Sequence, residues 1–157
     1  MDKTEFAAAV LAAEPTLYRV ARSMLHSDAD CADAAQSAIL RAWEKLGSLK
    51  SPEYFRTWLT RILINECRSV LRRGARFTGG EPDEDTPAPE RDDFGELYQA
   101  LYGLDAKYRL PVTLYYFEGF KTPEIAAMLK LPEGTVSTRL RRARELLREE
   151  LKGECYA

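Results

Sequence analysis

The chain has 157 residues, 45% apolar and 31% charged, with a formal net charge of −2 and a sequence pI of about 5.6, which allows one soluble globular domain or two small ones near the lower size limit for a self-sufficient core. No window approaches the roughly 18 uninterrupted apolar residues of a membrane span, and MDKTEFAAAVLAAEP carries acids where a signal peptide would be basic and then apolar, so direct membrane insertion is excluded and a cytoplasmic location expected. Cys31, Cys67, Cys155 and the single His26 lie far apart, with neither zinc-ligand spacing nor a CxxC pair; free thiols in a reducing compartment are expected, and no metal or cofactor.

Helical periodicity, without the β-branched alternation of strands, predicts an all-α fold. In residues 1–76 helices are expected at Lys3 to Ala13, Thr16 to Leu25, Ala29 to Leu46 and Pro52 to Arg73. Pro15 would sit in a first turn, where its missing N–H costs nothing, Asp28 would cap the third helix, and Ser51 followed by Pro52 would open the fourth. In the third helix Ala35, Ile39, Trp43 and Leu46 form an apolar stripe, which leaves Asp33, Gln36, Ser37, Arg41 and Glu44 for the sides and outer face. In the fourth, Phe55, Leu59, Ile62 and Val70 share one face.

That fourth helix carries a second pattern. At 100° per residue Thr57, Arg61, Asn65, Arg68 and Arg72 fall within roughly 80°, away from the apolar face, and Arg73 and Arg76 extend the stripe. A solvated helix face is the plain alternative, but such faces mix acids in and this one has none.

Phe77 to Asp92, FTGGEPDEDTPAPERD, is rich in Gly, Pro and acids and nearly free of apolar residues, the composition of a flexible linker. It divides the chain into domains 1–76 and 93–157. Charge divides in the same way: residues 1–76 hold 12 Lys+Arg against 9 Asp+Glu, 77–96 hold one Arg against eight acids, and 97–157 hold 10 against 8. The global pI therefore hides two mildly cationic segments, and local fields rather than the sum steer a nucleic acid.

Beyond the linker, Phe94 to Tyr102 and Lys107 to Phe117 read as helices, with Pro111 in a first turn or at a kink and Gly119 at a C-cap. Thr122 to Glu150, TPEIAAMLKLPEGTVSTRLRRARELLREE, then reads as two helices joined by a short turn, the layout of a helix-turn-helix. Thr122 and Pro123 would open the first, with Ile125, Ala126 and Leu129 buried, and Pro132 restarts the chain. On the second, Val136, Leu140, Ala143 and Leu147 fall within about 60° and must pack inward, which presents Ser137, Thr138, Arg141, Arg142 and Arg148 outward. N–H groups around Glu133 to Thr135 can receive a backbone phosphate, and Gly134 permits close approach. Arg141 and Arg142 can fork onto guanine or phosphates, and Ser137 and Thr138 can bond base edges. Arg139, Arg144 and Arg148 suit phosphates or intramolecular pairs, with Glu145 and Glu149 near Arg144 and Arg148 for helix-surface ion pairs.

FRTWLTRILINECRSVLRR together with PEIAAMLKLPEGTVSTRLRRAREL closely resembles the extracytoplasmic-function group of bacterial sigma-70-type RNA polymerase sigma factors. The resemblance covers nearly the whole chain. It implies two helical domains, region 2 (1–76) and region 4 (93–157), joined by the acidic linker (77–92). ADCADAAQSAILRAWEKL resembles the helix that docks on the polymerase beta-prime clamp coiled coil, which implicates Asp33, Gln36, Ile39, Arg41 and Trp43, although for Trp43 core packing is the stronger reading. The second domain would meet the beta flap. Arg61, Asn65, Arg68, Arg72 and Arg73 would read and melt the minus-10 element, and the loop Gly47 to Tyr54 stands where relatives capture a flipped base. Gly134, Thr135, Ser137, Thr138, Arg139, Arg141 and Arg142 would read the minus-35 element. Ser69 stands where the family often has Asp.

The resemblance further implies promoter DNA as ligand and an anti-sigma factor, often membrane-bound, as partner. A fully extended 16-residue linker reaches roughly 55 Å, enough to span promoter elements about one and a half duplex turns apart; a plain solvated spacer is the alternative. No P-loop, no histidine beside a nucleophile and no carboxylate cluster outside the linker suggests an enzyme. The competing function is a stand-alone regulator with an N-terminal dimerisation or sensor bundle, which would have no use for the basic stripe on the fourth helix.

Overall fold

The computed structural model describes residues 1–78 and 95–155, with side chains for 1–74 and 99–152. Every regular element among them is helical, and the chain divides into two compact units, Met1–Thr86 and Pro87–Ala157. Apart from Phe77 and Thr78, the acidic segment 77–92 lies outside the described residues.

The first unit is three helices packed pairwise. Helix α1 (Lys3–Met24) opens on a capping box: the Asp2 carboxylate accepts from the Glu5 N–H at 2.8 Å, and the Glu5 carboxylate accepts from the Asp2 N–H at 3.3 Å. The expected break at Pro15 does not occur, and the two short helices are one. Pro15 removes the bond to the Leu11 carbonyl, but both residues are exposed, so water can reach that carbonyl. Ala13, Thr16, Leu17, Val20, Ala21 and Met24 are buried on the other side. At about 25 cal/mol per Å² their burial outweighs the roughly 3 kcal/mol a mid-helix proline costs.

Helix α2 (Asp28–Glu44) is capped by Ser27, whose Oγ accepts from the Asp30 N–H at 3.0 Å, and not by Asp28. Asp28 instead pairs with Arg22 of α1, which also donates to the Tyr18 hydroxyl at 3.1 Å. The buried stripe of α2 differs from the expected one: Cys31, Ala34, Ala38 and Ala42 are buried, Ala35, Ile39 and Leu46 half-buried, and Trp43 is 44% exposed. Wedged against both α1 and α3, α2 turns its smallest side chains inward, where they let the helices approach closely. Trp43 thus lies at the rim, edge-on to Phe6 at 5.1 Å, rather than in the core.

After 3₁₀ turns at Leu46–Ser48 and Pro52–Tyr54, α3 (Phe55–Thr78) begins three residues later and ends five later than its pattern suggested. Its buried side is Phe55, Leu59, Leu63, Ile64 and Cys67, with Ile62 and Val70 only half-buried on the flank.

In the second unit α4 (Gly95–Tyr102), α5 (Ala106–Val112) and α6 (Thr122–Leu129) all pack on α7 (Glu133–Cys155). Pro111 lies inside α5 and buried; the helix continues by widening into a π turn at Thr113–Phe117, where the Glu118 N–H bonds the Thr113 carbonyl at 3.0 Å. Gly119 follows at φ 75, a conformation that favours glycine. Helix α6 is capped at Lys121, whose N–H donates to Glu124 Oε1 at 3.2 Å, and Thr122 is its first residue rather than its cap. The turn into α7 places Lys130 in the left-handed region at φ 56, with the Leu131 N–H bonded to the Ala126 carbonyl at 3.0 Å. Val136, Leu140 and Ala143 are buried as their spacing requires, and Leu147 is half-buried.

Candidate functional site

In the first unit the stripe on α3 faces outward. Arg61, Asn65, Arg72 and Arg73 are exposed, and Thr57 and Arg68 half-buried. Ser69, in place of an acid, accepts a 3.0 Å hydrogen bond from the Arg72 guanidinium, a neutral contact that leaves the cation's charge uncompensated there. Tyr54, 60% exposed at the end of the Gly47 to Tyr54 loop, precedes an aromatic set in which Phe55 touches Phe6 at 5.7 Å and Trp58 at 5.9 Å between ring centres.

On α2, Asp33, Gln36 and Arg41 are exposed and Ile39 and Trp43 form one flank. Leu40, which sequence reasoning passed over, lies in the middle of this face at 59% exposure; its off-stripe position was the available signal. Arg41 turns toward α3, where its guanidinium pairs with the nearly buried Glu66. A groove of about 570 Å³ runs along this α2–α3 seam and also includes Ser69, Arg72 and Arg73.

In the second unit the outward face of α7 carries Gly134, Ser137, Thr138, Arg141, Arg142 and Arg148, all exposed, with Thr135 and Arg139 half-buried. Thr138 donates its hydroxyl proton to the Gly134 carbonyl at 2.8 Å, which leaves the oxygen to act as an acceptor. Arg142 reaches Glu145 at 3.2 Å with both side chains half exposed, a loose pair that a phosphate or guanine can displace. Arg144 donates to the Tyr116 hydroxyl at 2.9 Å; this bond, more than the neighbouring charges, stabilises its cation and raises its pKa. It is therefore held by a tertiary contact to the π turn.

A smaller groove of about 220 Å³ separates the start of α5 from α7, with Lys107 and Tyr108 facing Thr138, Arg139, Arg141 and Arg142. The Lys107 ammonium lies 5.0 Å over the Tyr108 ring. Neither residue belonged to the expected site, because nothing in a single lysine–tyrosine dipeptide marks it as adjacent to a helix some thirty positions on. Arg109 is structural: it is buried, donates to the Tyr102 carbonyl at 3.1 Å, and its pKa is lowered by desolvation. Among the described residues no three His, Cys, Asp or Glu side chains gather as a metal would need, and no helix is long and apolar enough to cross a membrane.

Two helical units, each exposing cations on one long helix, define a sigma-70-type architecture, and comparison with known proteins agrees: residues 10–77 match Sigma-70 region 2 and residues 94–147 match Sigma-70, region 4. The chain is 30% identical to RNA polymerase sigma-H factor of Pseudomonas aeruginosa over 96% of this chain and 88% of that one. It is 32% identical to ECF RNA polymerase sigma factor SigM of Mycobacterium tuberculosis over 83% and 69%. Among solved structures, the sigma factor RpoE of Bartonella quintana, in complex with the anti-sigma factor NepR, superposes with a TM-score of 0.80 at 30% identity over 94% of this chain and 96% of that one. CnrH, bound to the cytosolic domain of CnrY, gives 0.71 at 28% over 97% and 90%. The chain belongs to the extracytoplasmic-function group of sigma-70 RNA polymerase sigma factors, proteins that regulate transcription rather than catalyse a reaction.

Proposed function

We propose that this sigma factor divides its work by unit, acting in the cytoplasm and catalysing nothing itself. The first unit docks on the beta-prime clamp coiled coil of core RNA polymerase through the outer face of α2, with Asp33, Gln36, Ile39 and Trp43 around Leu40, while Arg41, which the resemblance also assigns to this contact, turns toward α3. It reads and opens the minus-10 element through Arg61, Asn65, Arg68, Arg72 and Arg73. The Gly47 to Tyr54 loop receives an unstacked base. The second unit meets the beta flap and reads the minus-35 element through Gly134, Thr135, Ser137, Thr138, Arg139, Arg141 and Arg142, with the acidic segment 77–92 as the tether. An anti-sigma factor, often a membrane protein's cytosolic part, restrains the chain, as NepR and CnrY are bound to the two structural relatives.

The observation that supports this division most is the pair of exposed arginine-bearing surfaces, the α3 stripe and the outer α7 face, lying in separate units in the order of regions 2 and 4. Run-off transcription with purified core polymerase on the organism's own promoters tests it. Arg142→Ala is expected to weaken minus-35-dependent initiation by about 1–3 kcal/mol, the worth of one bidentate hydrogen-bonded pair with a base. Asn65→Ala is expected to reduce open-complex yield, followed by permanganate footprinting, more than closed-complex affinity. Equal effects of the two substitutions on closed-complex affinity would remove the division, and tight dimeric DNA binding to which polymerase adds nothing would favour the stand-alone regulator.

A further inference from the structure

We infer that Arg41 is a positioning residue that neutralises Glu66, the acid at the inner edge of the α3 promoter surface, so that Arg72 and Arg73 remain available to DNA phosphates. The inference rests on the proposed assignment of α3 to promoter DNA and differs from the role that resemblance gives Arg41, contact with polymerase.

Four observations carry it. Glu66 immediately follows Asn65 on α3, so a carboxylate sits beside a surface whose other charges are all positive. Its side chain is only 11% exposed, whereas that of Arg41 is 54% exposed. A nearly buried carboxylate needs a partner far more than an exposed guanidinium does, because water already solvates the latter. The two side chains form an ion pair across the α2–α3 seam, twenty-five positions apart, so the pair exists only in the folded unit. Finally, Glu66, Arg72 and Arg73 line one groove, with Arg41 and Glu44 as its other charged residues and Ser69 giving Arg72 a neutral partner. Of the two acids there, Glu44 is exposed and screened by solvent. Glu66, in a poorer dielectric, is the one whose uncompensated charge would draw Arg72 and Arg73 inward and repel a phosphate.

Arg41 therefore occupies the polymerase-facing helix while its charge serves the DNA-facing one. Removing it is expected to depress promoter binding and opening without a matching loss of polymerase affinity. Removing the charge of Glu66 as well is expected to restore them, because there is then nothing left to neutralise.

The test uses the full chain with core polymerase and compares wild type, Arg41→Ala, Glu66→Gln and the double variant. Core affinity is read by fluorescence anisotropy, and promoter complex formation across a salt series. Arg41→Ala is expected to keep core affinity within about twofold. Its promoter affinity is expected to fall about tenfold, the size of effect that removing one charge-assisted hydrogen bond gives, and the slope of log affinity against log salt to flatten by about 0.9 for each phosphate no longer neutralised. Glu66→Gln retains an oxygen that can accept from Arg41 and is expected to bind promoter at least as well as wild type; the double variant is expected to recover to within about threefold. A merely structural role would lower thermal stability and leave the salt slope unchanged, and if Arg41→Ala does not fold, Arg41→Gln, alone and combined with Glu66→Gln, carries the same comparison. Loss of core affinity that Glu66→Gln fails to rescue overturns the inference and leaves the sigma-factor assignment intact; failure of the wild-type chain to direct run-off transcription overturns the assignment itself.

Discussion

Cys31 and Cys67 show how the same residue type changes character with its surroundings. Both are buried between α2 and α3, and desolvation pushes their pKa values up to about 11 and about 12 from an ordinary 9.0. A thiol that keeps its proton is a small apolar side chain, not a nucleophile. At pH 8 both are expected to resist a thiol-specific reagent until the first unit opens, which peptide mapping by mass spectrometry of native against urea-unfolded protein would check; equal labelling in the two states would contradict their burial. The stability effect has a definite sign. From pH 9 upward the unfolded chain releases these protons while the folded chain holds them, so stability falls as pH rises, by about 1.4 kcal/mol per thiol for each pH unit until the folded values are reached.

Among the elements, the buried face of α7 was legible in the sequence and that of α2 was not, for one reason. Helix α7 is the hub against which the other helices of its unit pack, so the stripe its spacing marks, Val136, Leu140 and Ala143, is the face that is buried. Helix α2 touches neighbours on two sides, and there the smallest side chains face inward and Trp43 is left at the rim. A rule that weights apolar residues by size points to the wrong side of such a helix. Pro15 misled in a related way, since its cost is local and the burial that outweighs it is tertiary. Of the site, the α3 stripe and the α7 face followed from 3.6-residue periodicity, whereas the Arg41–Glu66 and Arg144–Tyr116 contacts join residues too distant for any periodicity to connect. The turn between α6 and α7 permits a prediction at this scale. Lys130 occupies a left-handed position usually filled by glycine, so Lys130→Gly is expected to stabilise the second unit by about 0.5–1 kcal/mol, seen as slower hydrogen exchange in α6 and α7. Faster exchange would mean that the lysine side chain contributes more than its backbone costs.

For the whole molecule, the net charge of −2 described no part of the chain, because eight of its 25 acids fall within residues 77–96. The weak cation excess of each flank suits surfaces that polymerase brings to DNA and that need not hold it alone. The two units also have separate cores, one around Leu17, Leu59 and Leu63 and the other around Leu114, Ile125 and Val136. Unfolding by heat is therefore expected to depart from a single two-state transition, with a van't Hoff enthalpy below the calorimetric one. One cooperative transition with equal enthalpies would show that the units stabilise each other.

Separate cores also bear on inheritance. Because each unit has a core of its own, a lesion that unfolds the second unit is expected to leave a first unit able to occupy polymerase under the proposed assignment. Such an allele would deny the enzyme to intact copies and behave as dominant, whereas an allele that unfolds the first unit would lose its main grip on polymerase and be recessive.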